Sequence, residues 1–494
     1  MATTVLSLPE ELVDSVCQSL GKRDVVNLRA TCRELKEKTY HQFAVKHFRE
    51  TKIMFTVDSL QSLIDFATSA TFGANKKLFG SCIRHLCISA ASFPSQTLDK
   101  VNGLPLDKEK DDVYRFWKDA DAEKDMQRVK KQRRKAHARL MHEQRTLRKQ
   151  SKDVQLLATA LSGLAAVDTI SIVPAQIPDA HIEYDSIYNK LPWGMERVRQ
   201  AIGFYPESDI KTRSYWSSEA GNLEKAYHEN AAWIVCATLS AIERSGIKKL
   251  KTLEILVPFS LDRNIPKNPA VTNKTLIPSR TISDAHFESL RHSFSTLKTL
   301  TISVEEHYSR GQPRAKSLKW VHRFTDICPN VEKFSFYANN NEATSVYSDI
   351  VKGLAFPHLR SLALLRGPIT YEELGQLLTT YSSTLEHISL EKVTLRTKDW
   401  VQVLQMLKAL PHLKLLELGK VMYVTQREGI TYYWNTERPL AARNSYSLWY
   451  DPGAQPGQKD RLQITHEAGP EMVTRLDKQI WLQTPPEIAI ETGW

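Results

Sequence analysis

Long apolar runs and a cysteine framework are both missing from this sequence. No hydrophobic stretch approaches the roughly 20 residues that a membrane-spanning helix needs, and the N-terminus lacks a basic segment followed by an apolar core. The six cysteines stand singly, without the paired spacing of a zinc site or of a disulfide-bonded secreted domain. We therefore expect an intracellular protein whose cysteines are reduced.

Motifs for catalysis and for cofactors are missing as well. The sequence has no phosphate loop, no glycine-rich dinucleotide turn, no His-Glu-x-x-His helix and no Gly-x-Ser-x-Gly turn around a nucleophile. Histidine and acidic residues are plentiful but scattered. The sequence therefore predicts no enzymatic activity, no bound metal and no cofactor.

The composition is that of an ordinary folded protein. Of the 494 residues, 41% are hydrophobic and 25% are charged, and this length suits two to four domains or one extended repeat array. The formal net charge is +11, and the positive charge is unevenly placed along the chain.

Residues 1–50 predict a three-helix module. Ser7 and Glu10 have the spacing of a capping box, so we expect the first helix to begin at Ser7. Asp24 and Thr31 are expected to cap the second and third helices. A module of this size buries little surface and is expected to need a partner. Apolar residues recur along the first helix at four-residue steps, at Leu8, Leu12, Val16 and Leu20.

This segment resembles the F-box family in the order Leu8-Pro9-Glu-Glu-Leu12, then Asp24-Val-Val, then Thr31-Cys32-Arg33-Glu34-Leu35. The resemblance covers about a tenth of the chain. It implies docking on the Skp-type adaptor of a cullin-RING ubiquitin ligase. The alternative is that the same positions form the core of an ordinary helical segment. The adaptor contacts that the resemblance implies are Leu8, Pro9, Leu12, Val16, Leu20, Leu28, Cys32 and Leu35.

Residues 51–106 predict one helix, over 58–70, followed by a strand around Ile83, Leu86 and Ile88. A charged insertion, 107–155, comes next. Because it lacks glycine and proline over 107–153, we predict one long helix there. A thin apolar stripe runs along this helix at Val129, Ala136, Leu140 and Leu147.

The basic cluster Lys130 to Lys135 within this helix has three interpretations. It is a solvated helix face, a nuclear-import signal, or part of a nucleic-acid patch that uses the basic stretch 128–149. Aromatic residues for base stacking are not interleaved with the basic ones. Their absence favours the solvated face and makes nucleic acid the least favoured partner.

A pattern of the Leu-x-x-Leu-x-Leu type defines residues 250–420. The last five units start 26 to 34 residues apart, and helices are predicted at 315–327, 345–354, 371–381 and 398–410. The units start at Leu250, Leu297, Val331, Leu359, Leu385 and Leu413.

This alternation of a short strand and a helix resembles the leucine-rich repeat. The repeat is irregular, because the asparagine of the regular repeat is present only as Asn339. The resemblance implies stacked units with a continuous core. Earlier units are expected at Ile83 and Val167, with insertions across 156–249. The predicted fold class is α/β, more narrowly an α+β solenoid in which a three-helix F-box module precedes an irregular leucine-rich-repeat-like array with a long charged helical insertion. The alternative is a non-repetitive α/β domain.

In a stacked array, strand residues that alternate with the leucines face the concave side. They mix polar, apolar and charged side chains, which suits a protein target, although any single position has plain solvent exposure as its alternative. Residues 421–494 are rich in aromatics and are predicted to cap the array rather than to form a ligand box. The candidates for target binding are Thr299, Thr301, Lys333, Tyr337, Ser361, Leu365, His387, Glu391 and Glu417.

These features together predict the substrate-recognition subunit of an SCF-type cullin-RING E3 ubiquitin ligase. The F-box would bind the Skp-type adaptor, and the repeat surface would bind a target protein. One alternative is a non-catalytic nuclear scaffold or nucleic-acid-associated protein that uses residues 128–149; another is an adaptor-bound protein without a role in degradation. We expect the protein in the cytoplasm, the nucleus or both, and not in a membrane.

Overall fold

A computed structural model describes residues 5–69, 71–72, 77–93, 120–174, 190–203, 205–206, 218–256, 284–304, 319–338, 347, 351, 353–396, 400–419, 422–424, 431–433 and 461–465. The chain divides into two compact units. Unit 1 comprises Met1–Phe259 and Ile265–Thr296, and unit 2 comprises Ser260–Asn264 and Leu297–Trp494. Each unit combines helices with parallel strands, which confirms the coarse prediction of a mixed α/β chain with a parallel sheet.

The N-terminal module has four helices and not the three that the sequence predicts. A short 3-10 turn, Val5–Ser7, precedes them. The helices are α1 (Glu10–Ser19), α2 (Lys22–Thr31), α3 (Arg33–Lys38) and α4 (Tyr40–Phe48).

All three predicted helix starts in this module are wrong by one to three residues. The first helix begins at Glu10, with Pro9 as its N-cap at ψ 154°, because a residue that precedes a proline disfavours helical geometry. The second begins after Gly21, which leaves Asp24 in the first turn. The third is capped by the Cys32 sulfur, which accepts from the Leu35 N–H at 3.5 Å, and not by Thr31.

Unit 1 contains one parallel sheet and a separate short hairpin. Strand β1 is not predicted from the sequence, because its apolar residues lack the Leu-x-x-Leu spacing, whereas β4 and β5 lie where strands are expected. The strands are β1 (Glu50–Met54), β2 (Thr71–Phe72), β3 (Lys77–Leu78), β4 (His85–Ser89), β5 (Thr169–Val173) and β6 (Thr252–Ile255). β1, β4, β5 and β6 are adjacent and parallel, and β2 pairs with β3.

The helices of unit 1 beyond the module are α5 (Val57–Thr68), α6 (Ala120–Lys149), α7 (Lys152–Gly163), α8 (Met195–Ile202), α9 (Ser218–Ser245) and α10 (Asp284–Phe294). Helix α7 packs against both α5 and α9, and α6 packs against α8. In β1, β4 and β5 every residue after the first is buried, whereas burial alternates in β6. Ile53, Leu86, Ile170 and Leu253 share one side of the strands and are fully buried. These residues form the apolar side of the sheet.

The predicted helix over 107–153 is shorter in the structure. Residues 107–119 lie outside the described part, α6 ends at Lys149, and Ser151 adopts a left-handed φ of 53° before α7 begins. The predicted apolar stripe does pack inward. Leu147 is buried, and Ala136 and Leu140 lie against the buried residues of α8.

Unit 2 has strands β7 (Thr299–Val304), β8 (Lys333–Ala338), β9 (Ser361–Ile369), β10 (His387–Leu395), β11 (Leu415–Gly419), β12 (Met422–Val424), β13 (Thr431–Tyr433) and β14 (Arg461–Thr465). β7 to β11 are parallel in sequence order, and β14 adds to β11 in the antiparallel direction. β12 pairs with the end of β10 and with β13. Most of the predicted aromatic cap, 421–494, lies outside the described residues.

The helices of unit 2 are α11 (Lys319–Ile327), α12 (Tyr371–Thr380) and α13 (Trp400–Lys408), within the predicted ranges. Most of the predicted helix 345–354 lies outside the described residues. The four strands β8 to β11 start with the same backbone arrangement. The Glu332 carbonyl, for example, accepts from the N–H groups of both Arg360 and Ser361, and the Arg360 carbonyl accepts from the next strand in the same way. This repeated pair of bonds keeps successive strands in step.

Candidate functional site

The N-terminal module has a small core of its own. Val13, Cys17 and Val25 are buried, with Leu20 and Phe43 packed against them. Val13 and Cys17 are one helical turn apart and therefore face inward together. The sequence places Val13 and Cys17 on the apolar face of this helix together with Leu8, Leu12, Val16 and Leu20. Leu8 and Leu20 do pack against the core, whereas Leu12 and Val16 are exposed.

The side chains of Lys38 and Arg29 hold the helices of the module together. Lys38 Nζ donates to the carbonyls of Leu6 and, at 3.0 Å, Leu8, which attaches the N-terminal turn to α3. The Arg29 guanidinium lies over the rings of Tyr40 and Phe43, at 4.3 and 4.0 Å from their centres. These cation–π contacts fix α2 on α4.

Large apolar side chains are exposed on the outside of this module. Leu12 and Val16 lie one turn apart on α1 and are 52% and 49% exposed. Among the side chains that the structure describes, five of the six exposed large hydrophobic ones belong to the first 26 residues of the chain. Such a concentration of exposed apolar residues in one small module is typical of a binding region, whereas single exposed apolar residues are common on any protein. We call Val5, Leu6, Leu12, Val16 and Val26 the apolar surface.

The eight predicted adaptor contacts divide into three groups. Pro9, Leu12 and Val16 are exposed, and Leu35 is buried. The remaining four, which are half-buried, are Leu8, Leu20, Leu28 and Cys32.

Sequence reasoning missed three residues of the apolar surface, Val5, Leu6 and Val26. A signal for Val26 exists. Val25 and Val26 are adjacent, and because neighbours on a helix point about 100° apart, only one of them reaches the core.

In unit 2, the nine predicted target-binding residues lie on one side of the parallel strands. Register pairs Thr299, Lys333, Ser361 and His387 across four neighbouring strands. Tyr337, Leu365 and Glu391 form a second such row. Neighbouring members of a row lie about 5 Å apart, so each row is a continuous strip.

Access to this strand face is uneven. Lys333 is exposed and most other candidates are half-buried, but Thr301 is only 7% exposed and offers little to a partner. Thr301 and Glu417 share a row, separated by Ser335, Ala363 and Ser389. A run of ion pairs borders the face, with Lys298 to Glu332 at 2.7 Å and Glu386 bound by Arg360 and Lys414 at 3.2 and 2.9 Å. These cations lower the pKa of the Glu332 and Glu386 carboxyls through hydrogen bonds.

Unit 1 contains a hydrogen-bonded chain that sequence reasoning missed. His85 Nε2 lies 2.7 Å from the Ser171 hydroxyl, which donates to Glu254 at 2.5 Å. Burial lowers the pKa of His85 more than neighbouring carboxylates raise it. Since the Ser171 hydroxyl donates to Glu254, its oxygen accepts from His85 Nε2. Burial also raises the pKa of the adjacent Cys87 to about 12, which keeps that thiol neutral.

In the part of the chain that the structure describes, no group of three or more His, Cys, Asp or Glu side chains is placed to hold a metal ion. No helix among those residues is long and apolar enough to cross a membrane. No protein-family model matches the sequence, and no match was found among curated proteins.

Proposed function

We propose that the chain is the substrate receptor of an SCF-type cullin-RING ubiquitin ligase, with the N-terminal module binding a Skp-type adaptor. The exposed apolar surface of the module is the observation that carries this proposal. Its side chains are about half exposed, and covering each of them would contribute about 1 kcal/mol. A partner that covers this surface also offsets the small size of the module's core.

The strand face of unit 2 is the proposed site for the target protein. Its rows combine the aromatic Tyr337, the apolar Leu365 and charged residues of both signs, a mixture suited to protein recognition. The chain itself performs no chemistry in this proposal. It holds a target near the ubiquitin-carrying enzyme and so raises the effective concentration of the target's lysines. The proposed locations are the cytoplasm, the nucleus or both.

Replacing Leu12 and Val16 by glutamate tests the adaptor interface. Both side chains are exposed, so the double variant keeps the module core, whereas substitution of the half-buried Leu8 would disturb it. We expect loss of co-purification with a Skp-type adaptor, because two charges would be buried without partners. The matched control is Gln18→Glu with Asn27→Glu, which adds the same charge at exposed positions outside the apolar surface and should keep adaptor binding.

Two results would contradict the adaptor role. One is a wild-type protein that does not co-purify with the adaptor, and the other is a Leu12→Glu, Val16→Glu variant that binds it as well as the control does. Mass spectrometry of the purified complexes then separates the two proposed sites. Adaptor and cullin subunits should disappear with the glutamate variant, while target proteins bound to unit 2 remain.

A further inference from the structure

The outward side of helix α6 carries a row of cationic side chains. All members of the row are exposed. Steps of three or four residues, with one step of six between Arg139 and Arg145, keep them on one side of the helix. At 1.5 Å per residue, the row is about 32 Å long. Its members are Arg128, Lys131, Lys135, Arg139, Arg145 and Lys149, and we call them the cationic row.

The opposite side of α6 packs against the rest of unit 1. Leu147 and His137 are buried, and the guanidinium of Arg148 lies 4.1 Å from the centre of the Trp233 ring. Arg148 also donates to the side-chain oxygen of Asn230, whose amide donates to the Ala90 carbonyl at 3.0 Å. The cationic row is therefore held on a rigid support.

Little negative charge accompanies this row. From Arg128 to Lys149 the sequence has ten Lys and Arg residues and a single acidic residue, Glu143. Glu143 lies 3.5 Å from Arg139, and within the described residues this is the one ion pair that a member of the row makes. Like charges three or four residues apart destabilise a helix by about 0.2–0.5 kcal/mol per pair. A ligand with regularly spaced negative charges would remove this repulsion.

We propose that the cationic row binds the phosphate backbone of a nucleic acid duplex without reading its sequence. Among the described side chains, the exposed residues between the cations are Gln127, Gln132, Ala138 and His142. A protein partner would need aromatic or large apolar anchors there, and a membrane surface would need Trp, Phe or Leu beside the basic residues. The lack of aromatics excludes base stacking on a single strand but not contacts to duplex phosphates, which require only cations in a row. This proposal does not depend on the ligase role.

Salt dependence of binding is the test, performed on the full chain with a DNA duplex and an RNA duplex of about 30 base pairs and of unrelated sequences. Six cations predict a slope of about −5 for the logarithm of the binding constant against the logarithm of salt concentration on DNA. Arg128→Gln, Lys131→Gln and Lys135→Gln together should make the slope shallower by about 3 and weaken binding on the order of 100-fold at 0.1 M salt.

Two control variants separate the row from net charge and from folding. Lys248→Gln, Lys249→Gln and Lys251→Gln remove the same charge from exposed lysines of unit 1 and should keep the steep slope. Lys131→Arg with Lys135→Arg keeps the charge and should bind as the wild type does. Circular dichroism checks that each variant retains its helix content.

Three outcomes would overturn the proposal. They are no binding to either duplex at about 0.05 M salt, an equal loss in the Lys248–Lys251 control, and binding of polyglutamate or of phosphatidylserine vesicles as tight as that of the duplexes. The last outcome would assign the row to an acidic protein or a membrane. Different binding constants for DNA and RNA at the same salt concentration would show which duplex the row prefers.

Discussion

Arg148 and Lys149 are adjacent basic residues with different surroundings. Lys149 is exposed, whereas Arg148 is inserted between α6 and α9, and burial lowers its pKa to about 10 despite nearby Asp153 and Glu229. In sequence, both belong to one charge run. Their difference follows from the helix angle, since Arg148 adjoins the buried Leu147 on the inward side. A charge run alone therefore predicts the sign of a surface but not which cations face solvent.

His137 should make the stability of unit 1 depend on pH. Burial lowers its pKa below the unfolded value of about 6.5, so the unfolded chain takes up a proton first as the pH falls. The unfolding free energy is therefore greatest above about pH 7, and it decreases as the pH falls from the unfolded pKa down through the lowered folded pKa. We expect His137→Gln to flatten the dependence of the unfolding free energy on pH by at most about 1.4 kcal/mol per pH unit.

Urea unfolding between about pH 7.5 and pH 5.5, followed by circular dichroism, measures this dependence. His142 lies on the exposed side of the same helix and provides the matched control, His142→Gln. The control should retain the wild-type dependence. If the unfolding free energy depends on pH equally in the wild type and in His137→Gln, the His137 pKa is the same in the folded and unfolded chains, which would contradict the prediction.

At the scale of secondary structure elements, two predicted or observed helix starts differ in how they use the capping-box spacing. Ser7 and Glu10 have this spacing, but Pro9 between them moves the helix start to Glu10. Thr370 and Glu373 form both bonds of the box, at 3.1 and 2.9 Å, and open α12. The motif thus requires intervening residues that accept helical geometry.

Loss of the Thr370 cap should destabilise unit 2. We expect Thr370→Ala to lower its free energy of unfolding by about 1 kcal/mol, because the Glu373 N–H loses its acceptor. The control is Thr380→Ala at the other end of α12, where the hydroxyl donates to the Gln376 carbonyl and caps nothing. Urea denaturation compares the two variants. A loss as large for Thr380→Ala would contradict the assignment of the effect to the cap, because helix propensity alone favours alanine over threonine.

The strands that carry the Leu-x-x-Leu-x-Leu pattern were predictable to within a few residues, whereas backbone bends were not. The alternating leucines of β9 and β10 marked both strands, because buried and half-buried residues alternate along them. Both strands bend at a non-glycine residue with positive φ, Arg366 at 63° and Lys392 at 55°. This geometry costs about 1 kcal/mol at each residue and has no local sequence signal, and Ser151 between α6 and α7 is a third case.

At the scale of the whole chain, the repeating pattern extends further than its sequence signal. In unit 1 the Arg84 carbonyl accepts from the N–H groups of Asp168 and Thr169, the same arrangement that Glu332 makes in unit 2. Sequence spacing identified the units after Leu250 because their starts are close together. The strands before it are separated by long insertions, so spacing could not reveal β1, and the predicted boundary at 249/250 lies within unit 1.

The apolar surface and the cationic row both belong to unit 1, and they share no residue. Contributions from sites that share no residue or partner are usually additive. We therefore expect the adaptor and a nucleic acid duplex to bind the same molecule simultaneously. Leu12→Glu with Val16→Glu should abolish adaptor binding and leave the salt slope for DNA unchanged. The variant with Arg128→Gln, Lys131→Gln and Lys135→Gln should keep adaptor binding and make the salt slope for DNA shallower.

Fluorescence anisotropy of a labelled duplex, recorded with and without saturating adaptor, measures this independence. A ternary complex should give a higher anisotropy than the binary one at an unchanged dissociation constant for the duplex. The Gln18→Glu, Asn27→Glu control corrects for the two negative charges that the glutamate variant adds. Competition between adaptor and duplex would mean that the two partners contact a common area of unit 1, and it would contradict the assignment of separate surfaces.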